Sequence, residues 1–312
     1  MSFFIFLIKI LLFKEGKVMQ TTKVKYIKSP LNYTGGKFKL LDQILPKFPK
    51  RIDTFVDLFC GGCNVGINVN ANKIICNDII DYLIQLLKYF QTHSIDHILS
   101  HIETRIQEYN LSKSNKEGYL ALRDYYNKHR FILDLYVLTC YSFNHVIRFN
   151  SKHEFNAPFG QNRSHFNDTL KKKLVDFVNE IHSKNIVFTN NDFEISLDEF
   201  GPNDFFYCDP PYLISQGVYN DGKRGFKGWD EEQEIRLLNF LDRLNEKGIK
   251  FALSNVFENK GLRNDLLIQW CERNEYFVYP ISSNYSNSSY HRKDRNTSLE
   301  VLITNYDVRS IN

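Results

Sequence analysis

Seven short strand-like runs, most of them separated by helix-like runs, narrow the folds open to this chain more than any other feature. The runs cover 54–59, 73–77, 186–189, 204–208, 250–254, 276–281 and 299–304. Helical periodicity fills 82–92, 231–247 and 260–273 between them. Strands that alternate with helices form βαβ units, and such units build a mostly parallel sheet with helices on its faces. The last two runs are joined by a polar loop, 282–298, with no helix. A direct return of that kind predicts an antiparallel pair at the end of the sheet.

The alternation breaks between 93 and 185, where the pattern is helical and aromatic over 95–109, 116–130, 131–143 and 168–181. This segment reads as a helical insert, with the α/β domain formed by 19–92 and 186–312. Residues 1–18 read as a start-site extension ahead of Met19 or as a loosely packed helix. The apolar run 3–13, broken by Lys9, is too short to span a bilayer, and no small-residue cleavage site follows it. The chain has 312 residues, 43% hydrophobic and 15% aromatic, which suits an ordered core and excludes a disordered chain. With 40 basic and 36 acidic residues the net charge is only +4, so any nucleic-acid affinity must come from local patches. Of the six cysteines, Cys60 and Cys63 alone sit close together, without a second Cys/His pair at zinc spacing, which points to a reduced, cytoplasmic protein. No metal-ligand cluster is visible in the sequence.

Three short motifs carry chemistry. Phe205-Phe206-Tyr207-Cys208 reads as a buried strand, and Asp209-Pro210-Pro211-Tyr212 ends it, because proline cannot donate to a sheet ladder. The corner offers a carboxylate, backbone carbonyls free to accept, and an aromatic face at a strand's carboxyl end, where open α/β sheets bind ligands. A planar base with an exocyclic amine fits: the amine donates to Asp209 and to the Pro210 carbonyl, and the ring stacks on Tyr212. Read alone, the tetrapeptide is equally a strand-ending turn. The second motif runs from Asp57 through Phe59 and Cys60-Gly61-Gly62-Cys63 to Gly66, a strand passing into a glycine turn and then a helix. Asp78 lies 21 positions beyond Asp57, at the end of the next strand, where an acidic side chain can take ribose hydroxyls. Together these imply an adenosine-containing cofactor. The third is Asn32-Tyr33-Thr34-Gly35-Gly36-Lys37, a turn that brings backbone and a cation close to a ligand.

The order of these motifs resembles the Dam-like (D12 class, alpha) group of adenine-N6 DNA methyltransferases over about 29–306. The resemblance extends to Phe143-Asn144-His145-Val146-Ile147-Arg148-Phe149-Asn150, to Phe155-Asn156-Ala157-Pro158-Phe159-Gly160, to Ser254-Asn255 and to Leu299-Glu300-Val301-Leu302-Ile303-Thr304-Asn305. His145 stands where the family usually has glycine, and Tyr33 where tryptophan is common. The resemblance implies a Rossmann-like methyltransferase sheet carrying an inserted target-recognition domain. It implies S-adenosyl-L-methionine bound by Tyr33, Lys37, Asp57, Phe59, Gly61, Gly62, Asp78, Asp192, Phe193 and Asp209. Asp78 would take the ribose, Lys37 the methionine end, and Asp192 with Phe193 the cofactor's adenine. Asp209, Pro210, Pro211 and Tyr212 would hold the target base.

In the insert, the resemblance turns Asn144, Arg148, Asn150 and Asn156 toward DNA, with Arg148 and Arg163 as candidates for guanine contacts. Two basic loops offer backbone contacts, one with Lys223 and Arg224, the other with Arg292, Lys293 and Arg295. Each reads equally as a solvated charge run. The implied partners are double-stranded DNA and a cognate restriction endonuclease acting on the same site, with no membrane and the chain as a monomer or weak dimer. Two rivals stay open: an enzyme of the same cofactor acting on RNA adenine or protein glutamine, and a nucleic-acid-binding module without catalysis. Intact Asp78 and Asp209 argue against the second.

Overall fold

The computed structural model describes residues 24–214, 228–281 and 298–311. The segment 1–18 and the basic loops carrying Lys223, Arg224, Arg292, Lys293 and Arg295 lie outside these residues. The strands are β1 (Thr54–Asp57), β2 (Lys73–Asn77), β3 (Ile186–Thr189), β4 (Phe205–Cys208), β5 (Lys250–Asn259), β6 (Leu262–Arg263), β7 (Phe277–Ile281) and β8 (Ser298–Thr304). They form one sheet in the order β3-β2-β1-β4-β5-β8-β7, with β6 paired to β5 off that path. The first five in that order are parallel neighbours. β8 runs antiparallel between β5 and β7, so the expected antiparallel pair, β7 with β8, stands at the end of the sheet. This is the mixed α/β sheet that the Rossmann-like reading requires.

Side chains alternate across a strand, and each alternate set here meets its own core. Phe55, Phe205 and Tyr207 pack on one face of the sheet; Val56, Phe206 and Cys208 pack on the other. Burial on both faces explains why these strands read as unbroken apolar runs. Each fully buried aromatic ring contributes on the order of 1.5–3 kcal/mol.

The helices are α1 (Leu41–Ile44), α2 (Asp81–Thr92), α3 (Ile95–Glu108), α4 (Lys116–His129), α5 (Ile132–Tyr141), α6 (Asp168–Ser183), α7 (Glu231–Glu246) and α8 (Asp265–Arg273). Residues of α7 and α8, among them Leu237, Leu241 and Leu267, cover the second face, while α2 and the insert helices cover the first. α5 is buried from Leu133 through Tyr141 and is the axis on which α2, α3 and α4 pack. Its Asp134 is fully buried, held by His101 at 2.7 Å and Arg105 at 2.8 Å from α3. A carboxylate survives there only because those donors surround it.

Two local expectations are corrected. The helix expected over 260–273 begins only at Asp265. Lys260 (φ 50°) and Gly261 (φ 84°) instead close a tight hairpin between β5 and β6, since paired positive φ values match a two-residue turn to strand twist. Asn264 then caps α8 through the Leu267 N–H at 3.1 Å. The helix expected after the glycine turn is one 3-10 turn, Gly66–Asn68. There the Asp57 carboxylate takes the Gly66 N–H at 3.2 Å, and Asn68 is tied to the Ile27 backbone at both ends of its amide. The described residues include no helix long and apolar enough to cross a membrane.

Candidate active site

Parallel pairing puts the carboxyl ends of β1 to β4 on one edge of the sheet. Asp57 stands in register with Cys76 and Tyr207, so Asp78 and Asp209, just beyond β2 and β4, arrive beside it. These ends open into a cavity of about 460 Å³. It is lined by Tyr33, Lys37, Asp57, Phe59, Gly61, Gly62, Asp78, Asp192 and Phe193, and by Asp209, Pro210, Pro211 and Tyr212.

The inner wall is acidic. Asp57 is buried, and its Oδ1 has no hydrogen-bond partner. Burial drives its pKa well above the carboxylate range, and the neighbouring charges of Asp209 and Asp78 push the same way. Asp78 accepts from the Gly61 N–H at 2.8 Å and the Ile80 N–H at 3.0 Å, and burial lifts its pKa to about 6 against those bonds. Gly61 itself sits at φ +49°, and a Cβ there would lie 2.9 Å from the Tyr33 ring, so glycine is required at this turn. A bound cation would meet an unpartnered carboxylate oxygen and relieve the repulsion among Asp57, Asp78 and Asp209.

Lys37 stands at the start of a 3-10 turn and pairs with Asp209 Oδ1 at 2.7 Å, with its Nζ 5.0 Å from the centre of the Tyr212 ring. The ammonium expected at the cofactor's methionine end is paired here with the Asp-Pro-Pro-Tyr corner. Burial works against the Lys37 charge, but Asp209, Tyr207 and Glu300 outweigh it and raise its pKa. Asp209 is raised by burial and held back by Lys37 and by the Tyr212 hydroxyl, which donates to Oδ1 at 3.3 Å. The outer wall is aromatic. Phe59 lies 5.5 Å from Phe193 at 31°, and Trp229 meets both, at 5.7 and 5.9 Å. Asp192 is at the rim, accepting from Arg236 at 3.1 Å, while the Arg236 guanidinium covers the Phe193 ring at 5.0 Å.

A sequence model of the D12 class N6 adenine-specific DNA methyltransferase family matches residues 33–298. The chain belongs to this family. The D12-class chain is 55% identical over 297 residues to Type II methyltransferase M.FokI of Planomicrobium okeanokoites, covering 94% of this chain and 45% of the relative. It is 51% identical to Modification methylase StsI of Streptococcus sanguinis, over 95% of this chain and 46% of the relative. The chain therefore spans about half the length of these two relatives. A DNA adenine methylase of Haemophilus influenzae is 32% identical over 76% of this chain and 82% of its own length.

The D12-class insert presents its motif residues on a loop beside the cavity. Asn32, next to Tyr33, donates to the Asn144 carbonyl at 2.8 Å and ties the loop to the turn that carries Tyr33 and Lys37. Antiparallel bridges Ser142↔Phe159 and Phe149↔Phe155 fold 142–160 back on itself, with Phe155 fully buried and Phe149 against Tyr82 of α2 at 4.9 Å. Arg148 Nε donates to Asn156 Oδ1 at 2.9 Å, so two expected DNA-facing residues are paired. Asn150 spends its side chain on the turn, accepting from the Glu154 N–H at 3.0 Å. Arg163 covers the exposed Phe143 ring at 5.0 Å. The preference for glycine at position 145 has a backbone cause: Asn144 and His145 are both left-handed, at φ 55° and 53°. The His145 Nδ1 lies 3.3 Å from the Thr139 carbonyl, a compensating contact.

Sequence reasoning missed Trp229 and the buried pair of Tyr207 with Ser254 at 2.7 Å. Trp229 carried a usable signal, a tryptophan in the polar run Gly228-Trp229-Asp230-Glu231 where no core periodicity explains it. Tyr207 carried none, since strand alternation alone makes it a core residue. The described residues hold no group of three or more His, Cys, Asp or Glu side chains arranged for a metal ion. Cys63 and Cys76 are free thiols with sulfurs 3.4 Å apart, packed under the glycine turn.

Proposed function

We propose that this chain transfers a methyl group from S-adenosyl-L-methionine to N6 of an adenine in duplex DNA, at a short specific site, as the modification arm of a restriction-modification pair. The observation that carries the reading is one cavity whose walls hold both the acidic and aromatic cofactor residues and the Asp209-Pro210-Pro211-Tyr212 corner. Family membership and the names of the relatives support the substrate. The residues present suit the cofactor: the bare Asp57 Oδ1 for its ammonium, Asp78 for ribose hydroxyls, and Phe59 with Phe193 for its adenine. When bound, S-adenosylmethionine supplies an electrophilic methyl group on a sulfonium.

Adenine N6 is a weak nucleophile because its lone pair is delocalised into the ring. Asp209 and the Pro210 carbonyl accept its two N–H groups, which orients the nitrogen and favours its pyramidal form. As the N–CH3 bond forms, the S–CH3 bond breaks to leave a neutral thioether. The nitrogen, made acidic, sheds one proton along its hydrogen bond to Asp209. Lys37 and Tyr212 hold Asp209 Oδ1, so Oδ2 is the oxygen offered to the amine. Such positioning and fixed charge are the terms that dominate transfers of this kind. The amine lies inside the stack, so the base must be flipped out, at a cost of a few kcal/mol. Stacking on Tyr212 offsets about 1–3 kcal/mol of that. The insert loop at 142–160 is the surface we assign to target recognition, with Arg148 and Asn156 as readers of base edges. A cytoplasmic location follows from this role.

The test is methyl transfer from labelled S-adenosylmethionine to unmethylated duplex DNA, beside RNA and protein, with Asp209→Ala as control. N6-methyladenine at one short DNA motif, absent in the control, is the expected result. Label in RNA or protein alone would replace the substrate and keep the cofactor.

A further inference from the structure

Glu234 is fully buried on the first turn of α7 and takes no part in the chemistry proposed above. Its Oε2 accepts the Trp229 indole N–H at 2.6 Å. Its Oε1 accepts from Asn255 of β5 at 3.0 Å and from Asn264, the cap of α8, at 3.4 Å. All three donors are neutral. Burial lifts the Glu234 pKa, and those three hydrogen bonds oppose the lift. A buried carboxylate held by neutral donors is expensive to keep, and a neutral amide would bridge three elements at lower cost. What an amide cannot do is accept at both oxygens. The indole needs one acceptor and the two asparagines need the other.

Trp229 is also the one member of this network that lines the cavity. With its N–H taken by Glu234, it offers a ligand only its ring. That ring stands edge-on to Phe59, at 78°, and tilted by 52° to Phe193. We infer that Glu234 is a positioning residue for cofactor binding, fixing the Trp229 indole against Phe59 and Phe193 so that the three touching rings form one aromatic wall on which a planar ring can stack. This rests on reading the cavity as the S-adenosylmethionine pocket.

The test uses intrinsic fluorescence. The sequence has two tryptophans, Trp229 and Trp270, so Trp270→Phe leaves Trp229 as the reporter. In that background, S-adenosylhomocysteine is titrated against the parent, Glu234→Gln, Trp229→Phe and the double variant, with calorimetry for the two that lack Trp229. Glu234→Gln should shift the Trp229 emission and raise the dissociation constant about tenfold, the size of one lost hydrogen bond to a charged group. The KM for S-adenosylmethionine should rise in step, with kcat at saturation within about twofold, a loss of binding alone. The double variant should bind no more weakly than Trp229→Phe, because Glu234 acts through the indole. Unchanged affinity in Glu234→Gln, or losses that multiply in the double variant, would overturn the inference. If Glu234→Gln does not fold, Trp229→Phe decides, and unaltered affinity there overturns it. A parent that ignores S-adenosylhomocysteine would instead remove the cofactor reading and the inference with it.

Discussion

Lys37 and Asp209 decide each other's charge. Burial alone would favour the protonated Asp209, and the ammonium at 2.7 Å is what opposes it. Lys37→Gln removes that cation and drives the Asp209 pKa further up, so the acid limb of kcat/KM should move to higher pH; a pH-rate profile with an unmoved limb would refute the coupling. Asp209→Asn keeps the shape and loses the charge, and should lower kcat by about 10²–10³-fold while cofactor binding persists. Asp78 gives the second pH effect. Its pKa is about 6, and the ionised form is the one that accepts ribose hydroxyls. Affinity for S-adenosylhomocysteine should therefore fall as the pH drops through about 6, and Asp78→Asn should bind weakly with that slope flattened, which calorimetry at several pH values would show. Without ligand the sign is opposite. Between the ordinary carboxylate range and about 6 the folded state holds a proton that the unfolded state has released, so the Asp78 contribution to stability is lost as pH rises through that window.

Two turns depend on positive backbone φ, one at 143–145 and one at Lys260-Gly261. At 143–145 the chain enters the left-handed region on two successive non-glycine residues, and His145 offsets part of that through its contact with the Thr139 carbonyl. His145→Ala loses the contact and keeps the strain, whereas His145→Gly loses the contact and relieves it. The glycine variant should be the more stable of the two by about 1 kcal/mol in thermal unfolding. Equal melting points would remove the strain from the account. The parallel strands were legible because apolar runs and proline stops mark them directly; β2 and β3 match their expected bounds. The hairpin at Lys260-Gly261 was not, since a helical pattern of apolar residues continues through it and positive φ leaves little trace at a lysine. That the glycine-turn and Asp-Pro-Pro-Tyr motifs would meet in one cavity was legible for the same reason as the strands, since both sit at strand ends. The Lys37–Asp209 pair was hidden, because partners so far apart in sequence meet only through the fold.

At the scale of the molecule, the helices between Ile95 and Ser183 share one hydrophobic core with the sheet, from Phe55 and Ile74 through Leu83 to Leu135 and Phe177. The loop proposed for recognition nevertheless keeps Arg148 outside the cavity walls. Arg148→Ala removes a paired side chain on the insert loop and touches no cavity wall. It should weaken binding to the cognate duplex about 10–100-fold, as loss of one bidentate base contact does, and leave the dissociation constant for S-adenosylhomocysteine within about twofold. A parallel fall in both affinities would show the loop to be part of the pocket. The strand order has a consequence during synthesis. β8 leaves a ribosome after every other described strand of this sheet, yet its place is between β5 and β7. Until residues 298–304 emerge, two neighbours hold unpaired edges toward an empty lane, and another nascent chain can fill it. Pausing of translation just ahead of β8 is the moment at which such a protein is most exposed to co-aggregation on polysomes.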